Sequence, residues 1–204
     1  MTLTLDDIDF VKGNGLVPAI VQDAHTEQVL MLGYMNEEAF KKTLKSKLVT
    51  FYSRSRKTLW TKGETSQNTL KFVSVTVDCD ADTLLVRAVP TGPTCHEGTT
   101  SCFGDKGPQG IGFLSYLETL IEARKTVDPE SSYTAKLLQG PLRRAAQKVG
   151  EEGVETALAA VAETNEKLTS EAADLIYHTL VLLAAKDVKF STVLNELKSR
   201  HSGP

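Results

Sequence analysis

Short runs of apolar and β-branched residues, separated by polar turns, fill the first half of the chain. The clearest runs are residues 48–52, 72–77 and 84–89. Runs of this length and composition are typical of strands. Two further apolar runs, 19–22 and 29–32, flank a polar connection, and this arrangement predicts a hairpin.

One helix is predicted among these strands. Asn36 is a favourable N-cap residue, and the helix is expected to continue through Ala39 and Phe40 to about Lys45. The first half is therefore predicted to be mainly β, a domain of the α+β class.

The apolar residues of the second half recur instead at helical spacing. The helical stretches are residues 114–123, 142–161, 172–184 and 193–197. They predict an all-α helical bundle. Because so small a bundle has a limited core, pairing with a second copy would stabilise it, and we expect a homodimer.

A glycine-rich stretch separates the two halves. Residues 104–112 contain four glycines and a proline, which leaves little to support a helix or a strand. We therefore predict a first domain at residues 1–104, a linker at 105–112 and a second domain at 113–204.

Composition limits the classes of partner. The formal net charge of −3 and the pI near 5.8 provide no general attraction to nucleic acid or anionic membranes. We expect small-molecule ligands, with neither nucleic acid nor a membrane as a partner.

The N-terminal sequence lacks a secretory pattern, and no apolar run is long enough to span a bilayer. A cytoplasmic protein is expected, in which three cysteines favour metal binding over disulfides.

Residues 78–82 combine two kinds of metal ligand, since three aspartates and Cys79 lie within five positions. If the segment continues the strand that ends at Val77, alternation places Asp78, Asp80 and Asp82 on one side and the thiol on the other. Carboxylate oxygens suit Mg²⁺, with water completing its coordination. The sequence therefore predicts a magnesium site, although an acidic segment of this kind can also be a solvated loop.

Cys79, Cys95 and Cys102 form a possible zinc-binding set. Three thiolates leave the fourth position open to water, as in catalytic zinc sites. Zinc lowers the pKa of bound water from about 15.7 to roughly 7 in favourable sites, but three thiolates weaken that effect. A helper base is therefore expected, and His96 is the best-placed candidate, with Glu97 a weaker one.

Cationic residues and one aromatic residue lie upstream of these ligands. Arg54, Arg56 and Lys62 could bind phosphate, and Trp60 could stack on a base. The alternative is an exposed hairpin with ordinary surface charge.

Two acidic pairs characterise the second half. Glu152 with Glu155, and Glu171 with Asp174, are each spaced i,i+3 and share a helical face. Four inward carboxylates can hold Mg²⁺ against a polyphosphate. A solvated acidic face is the alternative, but apolar neighbours in the sequence favour the metal site.

Three motifs of the first half occur together. They are Arg54-Ser55-Arg56-x-x-Leu59-Trp60-x-Lys62-Gly63-Glu64-x-Ser66, Asp78-Cys79-Asp80-x-Asp82 and Pro93-Thr94-Cys95-His96-x-Gly98-x-x-Ser101-Cys102-Phe103. Over about residues 10–104 the chain thus resembles phosphoribosyl-AMP cyclohydrolase of histidine biosynthesis.

That resemblance implies hydrolytic opening of the purine six-membered ring of phosphoribosyl-AMP by zinc-activated water. It further implies that the three aspartates hold Mg²⁺ and the three cysteines hold Zn²⁺, with one cysteine supplied by the partner subunit. Arg54, Arg56 and Lys62 would then meet the two phosphates of the substrate.

The second half resembles phosphoribosyl-ATP pyrophosphohydrolase, an all-α relative of the MazG-type pyrophosphatases, over about residues 113–200. The matching residues are Glu152-x-x-Glu155 and Glu171-x-x-Asp174, with Lys148 upstream and Tyr177-His178 downstream. The resemblance implies Mg²⁺-assisted cleavage between the α and β phosphates. The product of this reaction is the substrate of the first domain, so a bifunctional hydrolase is expected.

Two other functions compete with this interpretation. A zinc-dependent nucleoside deaminase would carry His-x-Glu followed by Pro-Cys-x-x-Cys, a pattern that the sequence lacks. A non-catalytic alternative is a zinc-stapled β module fused to a helical dimerisation domain.

Overall fold

The structure, a computed structural model, describes residues 3–104 and 107–201. It divides into two compact units between Phe113 and Leu114. In the first unit the regular elements are β1 Val17–Asp23, β2 Val29–Met35, α1 Glu37–Ser46, β3 Thr50–Ser53, β4 Thr58–Thr61, β5 Leu70–Val77 and β6 Leu84–Pro90.

The second unit is helical. Its helices are α2 Gly112–Ala123, which begins just before the boundary, α3 Tyr133–Gln139, α4 Leu142–Ala162, α5 Asn165–Ala185 and α6 Phe190–His201. Short 3-10 helices cover Leu5–Asp7, Arg124–Thr126 and Pro129–Ser131. The predicted fold class, an α+β region followed by an all-α region, is confirmed.

A four-stranded sheet in the order β2-β1-β6-β5 forms the first unit, beside a two-stranded sheet of β3 and β4. Along β1, buried Val17, Ala19 and Val21 alternate with partly exposed residues, because successive strand side chains point to opposite faces. The buried face packs with Phe40 of α1 and Phe51 of β3 in one hydrophobic core.

The predicted hairpin and first helix are confirmed. β1 and β2 pair antiparallel, with Ile20 opposite Leu32. Asn36 caps α1, since its side-chain oxygen accepts a hydrogen bond from the Ala39 amide at 2.8 Å. The helix ends beyond Ser46, where Lys47 adopts a left-handed backbone conformation with φ of 58°.

The apolar pattern does not predict β4 or α3. β4 has only four residues, of which Leu59 and Trp60 are apolar, and such a segment is too short for periodicity to be seen. α3 has seven residues and is capped by Ser132, whose hydroxyl accepts from the Ala135 amide at 3.3 Å. Its buried Leu137 joins the core of the second unit.

The prediction that residues 78–82 extend a strand is wrong. β5 ends at Val77 and β6 begins at Leu84, and the residues between them form a tight turn in which Ala81 has φ of 65°. The turn forms because Asp78 Oδ1 accepts hydrogen bonds from the amides of Asp82 and Thr83, both at 3.0 Å. Strand alternation therefore does not separate the carboxylates from the thiol.

Helices α4 and α5, each 21 residues long, pack against one another and carry the acidic residues of the second unit. The apolar residues near those acids are not buried within a single chain: Val154, Leu158 and Ile176 are all substantially exposed. None of the helices in the described ranges is long and apolar enough to cross a membrane.

Gly63 provides a test of packing in the first unit. Its φ is 84°, and a Cβ there would lie 2.5 Å from the backbone carbonyl of Asn68. Gly63→Ala adds both backbone strain and a backbone clash, so we expect a loss of about 2–4 kcal/mol in the free energy of unfolding. Fluorescence of Trp60, the single tryptophan, follows the unfolding of this unit.

Gly15→Ala is the matched control for this substitution. Its φ is 87°, but nothing lies within 4 Å of the added Cβ, so the expected loss is only about 1 kcal/mol. If both variants lost the same free energy of unfolding, the clash with Asn68 would not be the cause of the destabilisation by Gly63→Ala.

Candidate metal centres and substrate pocket

The turn between β5 and β6 gathers three carboxylates. Oxygens of Asp78, Asp80 and Asp82 lie within 4.8 Å of one another. Desolvation raises the pKa of Asp78, but the hydrogen bonds from the amides of Thr83 and Asp82 outweigh it, and the pKa lies below its usual value. This group is the magnesium set predicted from the sequence, assembled by a turn, and its donor atoms suit Mg²⁺.

Lys12 is a residue of this centre that the sequence analysis missed. Its ammonium lies 3.1 Å from Asp80 Oδ2 and 3.7 Å from Asp82 Oδ2. The pKa of Lys12 is raised because the ammonium donates a hydrogen bond to Asp80. In the sequence Lys12 is 68 positions away from Asp80, and no local spacing relates the two.

Two of the three thiols lie together on the loop that follows β6. The side chains of Cys95 and Cys102 are within hydrogen-bonding reach, and Cys95 Sγ lies 3.8 Å from His96 Nδ1. The backbone of Glu97 and then the hydroxyl of Thr99 lower the pKa of Cys95 by hydrogen bonding. Cys95 is therefore the thiol that ionises more readily.

Cys102 has the opposite tendency. Desolvation raises the pKa of its thiol, and the charge of Cys95 raises it further, although the residue keeps exposed surface. The position of Cys102 is set by β2, since its amide donates to the Leu30 carbonyl at 2.8 Å and the Ser101 hydroxyl donates to the Val29 carbonyl at 2.8 Å. The loop is thus attached to the sheet.

Cys79 does not join the other two thiols within one chain. It is exposed on the β5–β6 turn, and among the described residues the groups of three or more possible ligands are carboxylate clusters. Cys95 and Cys102 suit Zn²⁺, but a three-thiolate site requires a donor beyond the two that one chain brings together.

A pocket of about 310 Å³ lies beside the basic hairpin of β3 and β4. Its lining residues are Gly33, Tyr34, Tyr52, Arg54, Ser55 and Trp60. The Arg54 guanidinium lies 3.8 Å from the centre of the Tyr34 ring, a cation–π contact that holds the arginine at the pocket. Trp60 also packs against Phe51, with ring centres 5.0 Å apart.

The remaining predicted cations lie in different places. Arg56 is exposed outside the residues that line this pocket. Lys62 is partly buried, and its positive charge lowers the pKa of Cys102, which places it near the thiols. Of the predicted substrate-binding residues, Arg54 and Trp60 therefore line this pocket. Tyr34 and Tyr52 also line it, and the sequence analysis did not predict them as binding residues.

A second carboxylate cluster lies between α4 and α5. Oxygens of Glu152, Glu155 and Glu171 lie within 4.8 Å of one another. Glu152 and Glu171 are each 5% exposed, so their charges require cationic partners. Lys148 Nζ lies 2.7 Å from Glu152 Oε1, and Lys167 forms an ion pair with Glu171.

Asp174, the fourth predicted ligand, is exposed and does not belong to the cluster in the part of the chain that the structure describes. It lies one helical turn beyond Glu171, near enough to influence the pKa of His178. That histidine is buried, and its Nε2 lies 3.7 Å from Glu152 Oε1. Desolvation lowers the pKa of His178 despite the opposing charge of Glu152.

The carboxylates of this cluster oppose one another electrostatically. Desolvation, and then the charges of Glu152 and Glu171, raise the pKa of Glu155. The donor atoms and the burial fit a divalent cation, because such an ion would relieve the repulsion that raises this pKa.

Comparison with known proteins divides the chain in the same way as the two units. The phosphoribosyl-AMP cyclohydrolase family matches residues 31–104, and the phosphoribosyl-ATP pyrophosphohydrolase family matches residues 114–201. The chain is 57% identical to histidine biosynthesis bifunctional protein HisIE of Salmonella typhimurium strain LT2 over 195 residues, which are 96% of each chain.

Other relatives share the same printed name. Identity is 57% with the protein of Escherichia coli strain K12, again over 96% of each chain. It is 53% with the protein of Xylella fastidiosa strain Temecula1, over 98% of this chain and 95% of the relative.

The two folds and the two family matches define a bifunctional hydrolase, with a cyclohydrolase domain followed by a pyrophosphohydrolase domain. Because relatives more than half identical cover almost its whole length, the chain belongs to the HisIE family of bifunctional histidine biosynthesis proteins.

Glu155→Gln tests the electrostatics of the α4–α5 cluster. An acid whose folded-state pKa is raised stabilises the fold at low pH, and this stabilisation is lost as the pH rises through the folded-state pKa. At pH 7, in the presence of a chelator, the Gln variant should therefore melt at a higher temperature than the wild type. The difference should shrink as the pH falls toward the ordinary pKa range of glutamate.

Circular dichroism at 222 nm measures this melting, since the second unit supplies most of the helix. Glu130→Gln, an exposed position in the 3-10 helix Pro129–Ser131, is the control and should show no such pH-dependent gain. A Glu155→Gln protein that is less stable than the wild type at pH 7 would contradict the assigned repulsion.

Proposed function

We propose that the second unit hydrolyses phosphoribosyl-ATP to phosphoribosyl-AMP and pyrophosphate, and that the first unit opens the purine ring of phosphoribosyl-AMP by hydrolysis. The observation that carries the proposal is one carboxylate cluster in each unit, Asp78/Asp80/Asp82 and Glu152/Glu155/Glu171, inside segments that match the two corresponding families.

Mg²⁺ is the proposed cofactor of the second unit, where it would activate water and screen the phosphate charge. Glu152, Glu155 and Glu171 would hold it, and exposed Asp174 on the next turn of α5 is the proposed fourth ligand. Lys148 and Lys167, which contact this cluster, supply positive charge for the polyphosphate of an ATP-like substrate.

Zn²⁺ and Mg²⁺ are the proposed cofactors of the first unit. Cys95 and Cys102 would bind Zn²⁺ together with Cys79 of a second copy, because one chain does not bring Cys79 into a ligand group in its described part. Bound zinc would supply activated water. His96, whose Nδ1 lies 3.8 Å from Cys95 Sγ, is the proposed acceptor of the proton of that water.

The pocket at the basic hairpin is the proposed position of the substrate. Trp60 lines the pocket and is the proposed stacking partner of the base, and Arg54 is held at the wall by its contact with Tyr34. Arg56 and Lys62 lie outside that lining, and we assign them to the phosphates. The three aspartates of the turn would hold Mg²⁺ for phosphate neutralisation.

A homodimer is the proposed assembly. On α4, Val154, Leu158 and Val161 are each more than half exposed and follow one another at intervals of four and three residues, so they share one helical face. An exposed apolar face of this kind is characteristic of an interface. Pairing would bury it and would also provide a second chain for the shared zinc site.

The proposed partners are phosphoribosyl nucleotides, without nucleic acid or membrane. The cytoplasm is the proposed location, because the reducing conditions there keep free thiols such as those of Cys79, Cys95 and Cys102 available for zinc.

Feeding phosphoribosyl-ATP to the pure protein tests the function: pyrophosphate and the ring-opened product should both form. Tightly bound zinc without turnover of either nucleotide would favour a structural zinc module.

Substitutions should separate the two reactions. Cys95→Ala should slow ring opening by roughly 100-fold or more, because it removes a zinc ligand, while pyrophosphate release continues. Glu155→Gln should do the reverse, slowing phosphoribosyl-ATP cleavage and sparing turnover of supplied phosphoribosyl-AMP. Each product is measured separately, and loss of both activities from one substitution in a folded protein would contradict independent sites.

Mixing variants tests the shared zinc site. Cys79→Ala and Cys95→Ala proteins should each lack ring opening, whereas their mixed dimer contains one complete thiolate set. After subunit exchange the mixture should recover about a quarter of wild-type ring opening, since about half the dimers are mixed and each has one intact site. Mixing Cys95→Ala with Cys102→Ala is the control and should recover nothing. Exchange without recovery in the first mixture would refute sharing.

A further inference from the structure

Lys12 places an ammonium group on the carboxylates of the β5–β6 turn. Its Nζ donates to the Asp80 carbonyl at 2.6 Å and to Asp80 Oδ2 at 3.1 Å, and it lies 3.7 Å from Asp82 Oδ2. These oxygens belong to two of the three aspartates that we assign to Mg²⁺. An ammonium and a divalent cation at the same oxygens repel one another.

The position of Lys12 is fixed by the segment that carries it. Ile8 and Phe10 are buried in the core of the first unit. Between them the Asp9 amide donates to the Ala81 carbonyl of the turn at 2.7 Å, and the Asp9 carboxylate accepts a hydrogen bond from the Lys12 amide at 3.1 Å. Two core side chains and two hydrogen bonds therefore hold the lysine beside the carboxylates.

This contact differs from an ordinary surface ion pair. Lys41 and Glu37, for example, form a single contact of 3.4 Å within one exposed helix, and such pairs contribute little to stability. Lys12 instead contacts a backbone carbonyl and two carboxylates that are distant in sequence. It is the arrangement of a counter-ion for an acidic cluster.

We propose that Lys12 is a positioning residue that holds Asp80 and Asp82 together in the metal-free protein and competes with the divalent cation for them. The inference rests on the proposed magnesium role of this turn. Entry of the metal must displace the ammonium or proceed against its charge, so Lys12 sets the metal affinity of the first unit and leaves that of the second unit unchanged.

A titration of the full-length protein with Mn²⁺, followed by paramagnetic broadening of backbone amide signals, measures both clusters in one sample. Signals of Ala81 and Thr83 report the turn, and signals near Glu155 report the α4–α5 cluster as an internal control. Lys12→Met and Lys12→Gln remove the charge, Lys12→Arg keeps it, and Lys41→Met is a matched exposed-lysine control.

Removing the charge should lower the Mn²⁺ concentration for half-broadening at Ala81 and Thr83 by roughly three- to tenfold. Signals near Glu155 should not respond, and Lys12→Arg and Lys41→Met should resemble the wild type. If the wild type broadens at the turn but neutral variants need equal or more Mn²⁺, the role of Lys12 is wrong and the magnesium site stands. If the wild type shows no broadening at the turn, the magnesium site itself is wrong.

Discussion

Repulsion between carboxylates is the constraint on which both candidate sites depend. Each unit holds three carboxylates within 4.8 Å of one another, an arrangement that is unfavourable unless cations compensate it. In the first unit Lys12 contacts the cluster, and in the second Lys148 and Lys167 do so. The cost is greater in the second unit, because Glu152 and Glu171 are buried.

The two units solve the same problem with different local structures. In the first, the Asp78 carboxylate closes a turn by accepting two backbone hydrogen bonds, and this turn brings Asp80 and Asp82 beside it. In the second, Glu152 and Glu155 share one face of α4 because they are spaced i,i+3, and their carboxylates lie close to that of Glu171 on α5. Each carboxylate cluster is assembled by elements of its own unit.

Much of this architecture is predictable from the sequence. Two short apolar runs around a polar connection predict the β1–β2 hairpin, and the Asn36 cap predicts α1. Apolar residues at helical spacing predict the long helices of the second unit. The apolar pattern does not predict the short elements β4 and α3, which are stabilised by packing and have too few residues to show a period. Spacing identifies the carboxylates of both clusters, but a turn and not a strand assembles the first, and the packing of α5 on α4 brings Glu171 to Glu152 and Glu155 in the second.

Contacts between residues distant in sequence are the part that spacing does not predict. Lys12 reaches Asp80 across 68 positions, and Tyr34 meets Arg54 only because β2 lies beside the basic hairpin. Asp174 shows that spacing can also predict a contact that is not formed. Its spacing from Glu171 places it on the same helix face, yet among the described residues of one chain it lies outside the cluster. A shared helical face gives direction but not distance.

Anomalous diffraction from crystals grown with Zn²⁺ and Mn²⁺ tests the central claim most directly, that each carboxylate cluster is a metal centre and the thiols form a separate one. Data at the two absorption edges should show manganese at Asp78/Asp80/Asp82 and at Glu152/Glu155/Glu171, and zinc at Cys95 and Cys102 with a third thiolate from a second copy. Carboxylate clusters that bind no manganese and still contact only their lysines would contradict the account.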